Sequence, residues 1–137
     1  MSREKNKKRA VTLSGRIVRG AGRGRKFGFP TANIALDAGI VFPSFGVYAG
    51  EIIVDGEKFL CAVSVGVNET VGAAEKTIEA YMFNFGKNIY NKKITLTLDE
   101  KIREMQRFHS VTDLKKAIEK DVAYIKERYQ ESGIKNA

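Results

Sequence analysis

Three groups of residues in this 137-residue chain have types and spacing suited to chemistry. The first is Gly20-Ala21-Gly22-Arg23-Gly24-Arg25-Lys26-Phe27-Gly28, which interleaves four glycines with three cations. Glycine lets backbone N–H groups turn toward an anion and approach it closely. Arg and Lys add charge-assisted hydrogen bonds to phosphate oxygens. The segment matches neither Gly-x-x-x-x-Gly-Lys-Ser/Thr nor Gly-x-Gly-x-x-Gly, so its composition fits a polyphosphate cradle or a plain surface turn. The second group is Thr31 and Asn33, just past Gly28-Phe29-Pro30. Spaced by two, they share one face of an extended segment. Their oxygens suit Mg²⁺, which typically takes one or two protein ligands and fills the rest with water and substrate phosphates. The third is Glu79, which in strand periodicity shares a face with Tyr81, Phe83 and Phe85. A carboxylate on an aromatic face is out of place unless it is functional, paired or at a strand end.

Other chemistries find little support. Cys61 and His109 are the only residues of their kinds. A disulfide within the chain is therefore impossible, a Cys/His zinc site lacks ligands, and a Ser-His-Asp triad would rest on His109 alone. Cys61 reads as a small core residue and His109 as a surface residue. No apolar run reaches the roughly 18 residues of a membrane span. Met1–Arg9 is charged with no apolar stretch after it, so a secretory signal is not expected. The net charge of +8 is uneven: residues 1–26 carry +9 and residues 27–137 carry −1. Residues 16–26 alone contribute +5, and the first nine residues +4. A nucleic-acid binder would be expected to show a basic stripe over its folded body. The charge fits a local clamp beside Thr31 and Asn33 plus a solubilising tail.

These groups need a frame. Val11 to Arg19 alternates apolar and polar residues like a half-buried strand. Further strands are expected over 31–36, 46–54, 57–66, 77–85 and 92–98, with Asp55-Gly56 as a hairpin turn. Residues 68–76 read as a loop and Gly86-Lys87-Asn88 as a turn. Leu114, Ile118, Val122, Ile125 and Tyr129 then follow helical spacing. Ser110 with Asp113 resembles a capping box, and Gly133 falls where that helix would have ended. Short strands joined by Gly, Pro and Asp turns suggest a small closed barrel covered on one side or mouth by a helix of about five turns. One domain over 11–131 is expected, with a basic flexible tail at 1–10 and a flexible end at 132–137.

Arg19 through Asn33 resembles the signature of the riboflavin kinase (flavokinase) family, most specifically in Gly28-Phe29-Pro30-Thr31-Ala32-Asn33. It is similar to the kinase half of bacterial bifunctional FAD synthetases. The likeness continues through Gly46-Val47-Tyr48, Val65-Gly66-Val67-Asn68, Thr77-Ile78-Glu79, Phe85, Ile89-Tyr90, and Ile102-Arg103 with Phe108, covering roughly residues 13–127. The resemblance implies a mainly β, six-stranded Greek-key barrel with a C-terminal α-helix. It implies transfer of the γ-phosphoryl of ATP to the ribityl 5′-hydroxyl of riboflavin, giving FMN and ADP.

The same resemblance implies residue roles. Glu79 would be the general base. Gly20, Gly22, Arg25, Lys26, Gly28 and Pro30 would hold the nucleotide with Thr31 and Asn33, and those last two would hold Mg²⁺. Tyr90 would stack on adenine or simply fill the barrel end. Arg103, and in matching positions Gln106 and Asp113, would contact the flavin, while Phe108 would pack the helix onto the barrel. Segments 20–28 and 99–109 read as loops mobile enough to act as lids; the sequence does not show whether they close over substrates. Glu69, Asn84 and Asn91 depart from the family pattern; Asn91 replaces a usual Gly, which Asn's tolerance of positive φ accommodates. With no adenylyltransferase segment ahead of the barrel, the chain is expected to stop at FMN, as a cytoplasmic monomer without membrane or nucleic-acid partners. The alternatives are a basic barrel binding nucleic acid through residues 3–26 and a non-catalytic flavin-binding regulatory domain. The co-occurrence of Thr31, Asn33 and Glu79 argues against the latter.

Overall fold

The computed structural model describes residues 11–18, 31–70, 73–83 and 89–129, without side-chain detail for 68–70 and 73–74. The expectations for 1–10, Asn84, Phe85, 86–88, 132–137 and Gly133 fall outside these residues, as does the Glu69 side chain. Six strands and one helix follow in order: β1 Val11–Val18, β2 Thr31–Leu36, β3 Gly46–Val54, β4 Glu57–Thr70, β5 Ala73–Met82, β6 Lys93–Arg103 and α1 Val111–Tyr129. The strands close into a barrel in the order β1-β2-β5-β4-β3-β6, every pairing antiparallel. Within it β6-β3-β4-β5 lie side by side, the fourth strand returning beside the first, which is the Greek-key arrangement. Among the described residues no helix is long and apolar enough to cross a membrane.

Alternation builds the barrel. Leu13, Ile17, Ile34, Ile52, Val63, Val65, Ile78 and Leu96 point inward and are buried. Cys61 is among them, fully buried as expected. Asp55 and Gly56 both take positive φ, 52° and 80°, so the β3–β4 hairpin turns as the sequence predicts. Asn91 adopts φ 68°, which accounts for Asn being accepted there.

A second, smaller core lies outside the barrel. Ala49, Leu60, Ala62 and Phe83 on the outer wall meet Ile125 of α1. Burying Ile118 and Ile125 contributes at most about 2–3 kcal/mol each to seating the helix. The helix begins as predicted: the Asp113 backbone N–H donates to Ser110 Oγ at 3.1 Å.

Three boundaries differ from the sequence reading. β5 ends at Met82 with Phe83 already in a turn, short of the strand end expected at 85. Residues 68–70 and 73–76 are strand and not loop, because β4 and β5 remain paired from Cys61↔Met82 out to Thr70↔Ala73. This hairpin satisfies its own backbone, so its distal end needs no apolar alternation; Glu75 and Lys76 are exposed there. Likewise β6 runs on to Arg103, so residues 99–103 form wall and not lid. Its charged end is held by the helix: Glu100 accepts hydrogen bonds from Tyr124 Oη and Tyr129 Oη, both at 2.9 Å, and pairs with Arg128 at 3.1 Å.

Candidate active site

Cross-strand register lines up one row of residues that crosses all six strands. Val18 pairs with Asn33, Asn33 with Glu79, Glu79 with Ser64, Ser64 with Val47, and Val47 with Arg103. Directly paired residues present their side chains on the same face. All six line one cleft of about 750 Å³ on the outer wall, roofed by residues 105–111 and the first turns of α1. Half of the exposed large apolar side chains among the described residues gather here: Val18, Val67, Met105 and Val111 are 36–64% exposed and all line the cleft. Apolar groups left wet in a concave site suit a ligand with a substantial apolar face.

The sequence-predicted site residues divide accordingly. Glu79 and Asn33, 46 positions apart in sequence, stand opposite each other on β5 and β2 at the cleft wall, both half-buried. Inward-facing Ala32, Ile34, Ile78 and Ala80 fix the register that aims them outward. Glu79 Oε1 accepts a hydrogen bond from Tyr81 Oη at 3.0 Å. Thr31 lies one same-face step from Asn33, opposite Tyr81, and outside the cleft lining. Among the described residues no three of His, Cys, Asp and Glu come together as a metal site. A cation held by Thr31 and Asn33 would take its other ligands from phosphates and water, as magnesium does. Gly20, Gly22, Arg25, Lys26, Gly28 and Pro30 lie outside the described residues.

Arg103 lines the cleft, yet its guanidinium is already engaged. Nε donates to Asp121 Oδ1 at 2.9 Å and Nη2 to Oδ2 at 2.8 Å, while the group sits 5.8 Å from the Phe108 ring centroid. Asp121 is buried, so the fork ties the end of β6 to the middle of α1. Gln106 is exposed at the lining and Phe108 is half-buried in it. Asp113 is exposed and outside the lining; in the first helical turn its charge complements the helix dipole. Tyr90 packs against the barrel core and lies outside the lining, filling the barrel end. His109 is exposed, at the cleft rim.

Sequence reasoning missed Ser64 and Met105. The Ser64 hydroxyl donates to Met105 Sδ at 3.7 Å, and the Met105 side chain lies over Gly66. A Cβ on Gly66 would stand 3.1 Å from Met105 Cε, so glycine makes the room. Neither residue carries a sequence signal; only the register and the fold-back after β6 bring them together.

Residues 7–129 match the Flavokinase family, described as riboflavin kinase. The chain is 41% identical over 123 residues to the RNA-binding riboflavin kinase RibR of Bacillus subtilis, covering 89% of this chain and 53% of that one. It is 40% identical over 110 residues to the bifunctional riboflavin kinase/FMN adenylyltransferase of Escherichia coli, covering 80% of this chain and 35% of the relative. The chain thus spans about half or less of these two proteins. The riboflavin kinase structure from Trypanosoma brucei superimposes with a TM-score of 0.63 at 29% identity, covering 91% of this chain and 83% of that one. A barrel of this topology, with a Thr-Ala-Asn strand opposite a glutamate and a match over nearly the whole length, makes this chain a member of the riboflavin kinase family.

Proposed function

We propose that the chain is an ATP:riboflavin 5′-phosphotransferase, producing FMN and ADP. The observation that carries this reading is the pairing of Asn33 with Glu79 on the wall of a cleft with exposed apolar sides. The flavin ring would lie against the apolar side formed by Met105 and Val111, with Gln106 and Arg103 at its edge. Its ribityl chain would run toward Glu79, which would take the proton from the 5′-hydroxyl as that oxygen attacks the γ-phosphorus. Thr31 and Asn33 would hold a magnesium ion carried in with ATP, which would neutralise charge on the transferring phosphoryl group. The glycine and cation segment 20–28, directly before β2 in sequence, would bind the phosphates. The reading extends to a monomer in the cytoplasm using Mg²⁺.

The test is incubation of the protein with riboflavin and Mg-ATP, with FMN followed by chromatography. ATP-dependent FMN is the expected product, and its absence from folded protein would refute the assignment.

A second reading, RNA binding through residues 3–26, is favoured only by the name of the Bacillus subtilis relative. Its test is tight, salt-sensitive oligonucleotide binding that is lost when residues 1–9 are removed.

A further inference from the structure

We infer that Tyr81 is a positioning residue for Glu79, making the orientation of the base depend on the seating of α1; this rests on the reading of Glu79 as the base. Among the described residues Glu79 accepts one side-chain hydrogen bond, from Tyr81 Oη to Oε1 at 3.0 Å. The two residues are two apart on β5, hence on the same outer face. The Tyr81 ring therefore lies along the strand toward Glu79. That ring packs against the second core, where Leu60, Ala62 and Phe83 meet Ile125 of the helix.

A glutamate side chain turns about three bonds, and a half-buried one at a cleft wall has room to swing. Fixing Oε1 by a hydroxyl whose ring packs against the core that seats the helix removes that freedom at one oxygen. It leaves Oε2 to meet a substrate hydroxyl. A general base must lie within hydrogen-bond reach of its proton, and small misplacements are costly in rate. Tyr81 also lines the cleft, and a loss confined to kcat is what separates an effect exerted through Glu79 from contact with a substrate.

The experiment compares Tyr81→Phe and Glu79→Gln with the unaltered protein in steady-state FMN formation, alongside thermal melting. Tyr81→Phe keeps the ring and its packing. It is expected to lower kcat by about tenfold while KM for riboflavin and for ATP stays within about twofold, at an unchanged melting temperature. A kcat within twofold of the parent protein overturns the inference. So does a loss that falls on KM, or one that accompanies a lowered melting temperature, since both mark a role in folding or binding. Glu79→Gln separates the two levels of the argument: if it retains turnover, the reading of Glu79 fails, whereas an inactive Glu79→Gln beside a fully active Tyr81→Phe sinks the role of Tyr81 alone.

Discussion

Arg103, the last residue of β6, and Asp121, midway along α1, form a two-point ion pair with N–O distances of 2.9 and 2.8 Å. It closes one end of the cleft, because the chain leaves β6 at Arg103 and must return as α1 over the same wall. The Asp121 side chain is 9% exposed and that of Arg103 24%, so water screens the pair only partly. Its main work is to fix where residues 104–110 cross.

Removing one partner leaves the other charge half-buried. Asp121→Ala is expected to cost about 2–4 kcal/mol in denaturant unfolding. Replacing both partners, as in Arg103→Met with Asp121→Leu, should cost less stability while raising KM for riboflavin. Equal stability of Asp121→Ala and the parent protein would show that the pair does not tie the helix down.

Asn33 is expected to act through the metal. Asn33→Ala should raise the magnesium concentration needed for half-maximal FMN formation, with little effect on melting, because the side chain is half-buried on the outer wall. Chelation of divalent ions should stop turnover of the parent protein. An unchanged magnesium dependence in Asn33→Ala would remove the residue from the metal site.

Two glycines should respond very differently to alanine. A Cβ on Gly50 would stand 2.5 Å from the Thr97 carbonyl oxygen, a backbone atom held in the β3–β6 ladder. Gly50→Ala should therefore be severely destabilising, by about 2–4 kcal/mol or more. At Gly66 the obstacle is the flexible end of Met105, at 3.1 Å. Gly66→Ala should fold with little loss and show its effect as a raised KM for riboflavin, as Met105 shifts into the cleft. Melting curves and steady-state kinetics of the two variants check both statements.

Burial pushes the Cys61 thiol well above its usual range, and the nearby Glu51 carboxylate adds to this. A folded-state pKa raised above the unfolded one contributes stability that is full below the unfolded value. That stability begins to fall as pH rises above about 8.5, where the unfolded chain starts to ionise, and goes on falling until pH passes the raised folded-state value. Cys61→Ala or Cys61→Val should flatten this alkaline decline. In the native state Cys61 should resist alkylating reagents, reacting only on unfolding; rapid native labelling would contradict its place in the core.

The sequence carries the site's chemistry more clearly than its walls. Thr31 and Asn33 stand out by their paired oxygens and Glu79 by its aromatic face, and the inward Ala32, Ile34, Ile78 and Ala80 show the alternation that puts Asn33 and Glu79 on the outer face. The Asp55-Gly56 turn and the Ser110 cap are local signals and both are present. What the sequence hides is tertiary. The polar end of the β4–β5 hairpin looks like a loop because its pairing, out to Thr70↔Ala73, leaves no apolar alternation in the sequence. The charged end of β6 looks like a lid because its partners Asp121, Tyr124, Arg128 and Tyr129 lie 18 or more positions away. Ser64 and Met105 acquire meaning only once the barrel closes.

The central claim is that Glu79 takes the proton from the flavin's ribityl hydroxyl. The direct measurement is single-turnover formation of FMN by Glu79→Gln with riboflavin and Mg-ATP, run beside nucleotide binding. The account predicts a rate lower by about 10²–10⁴-fold with nucleotide binding retained. A Glu79→Gln protein that makes FMN at close to the parent rate would contradict it.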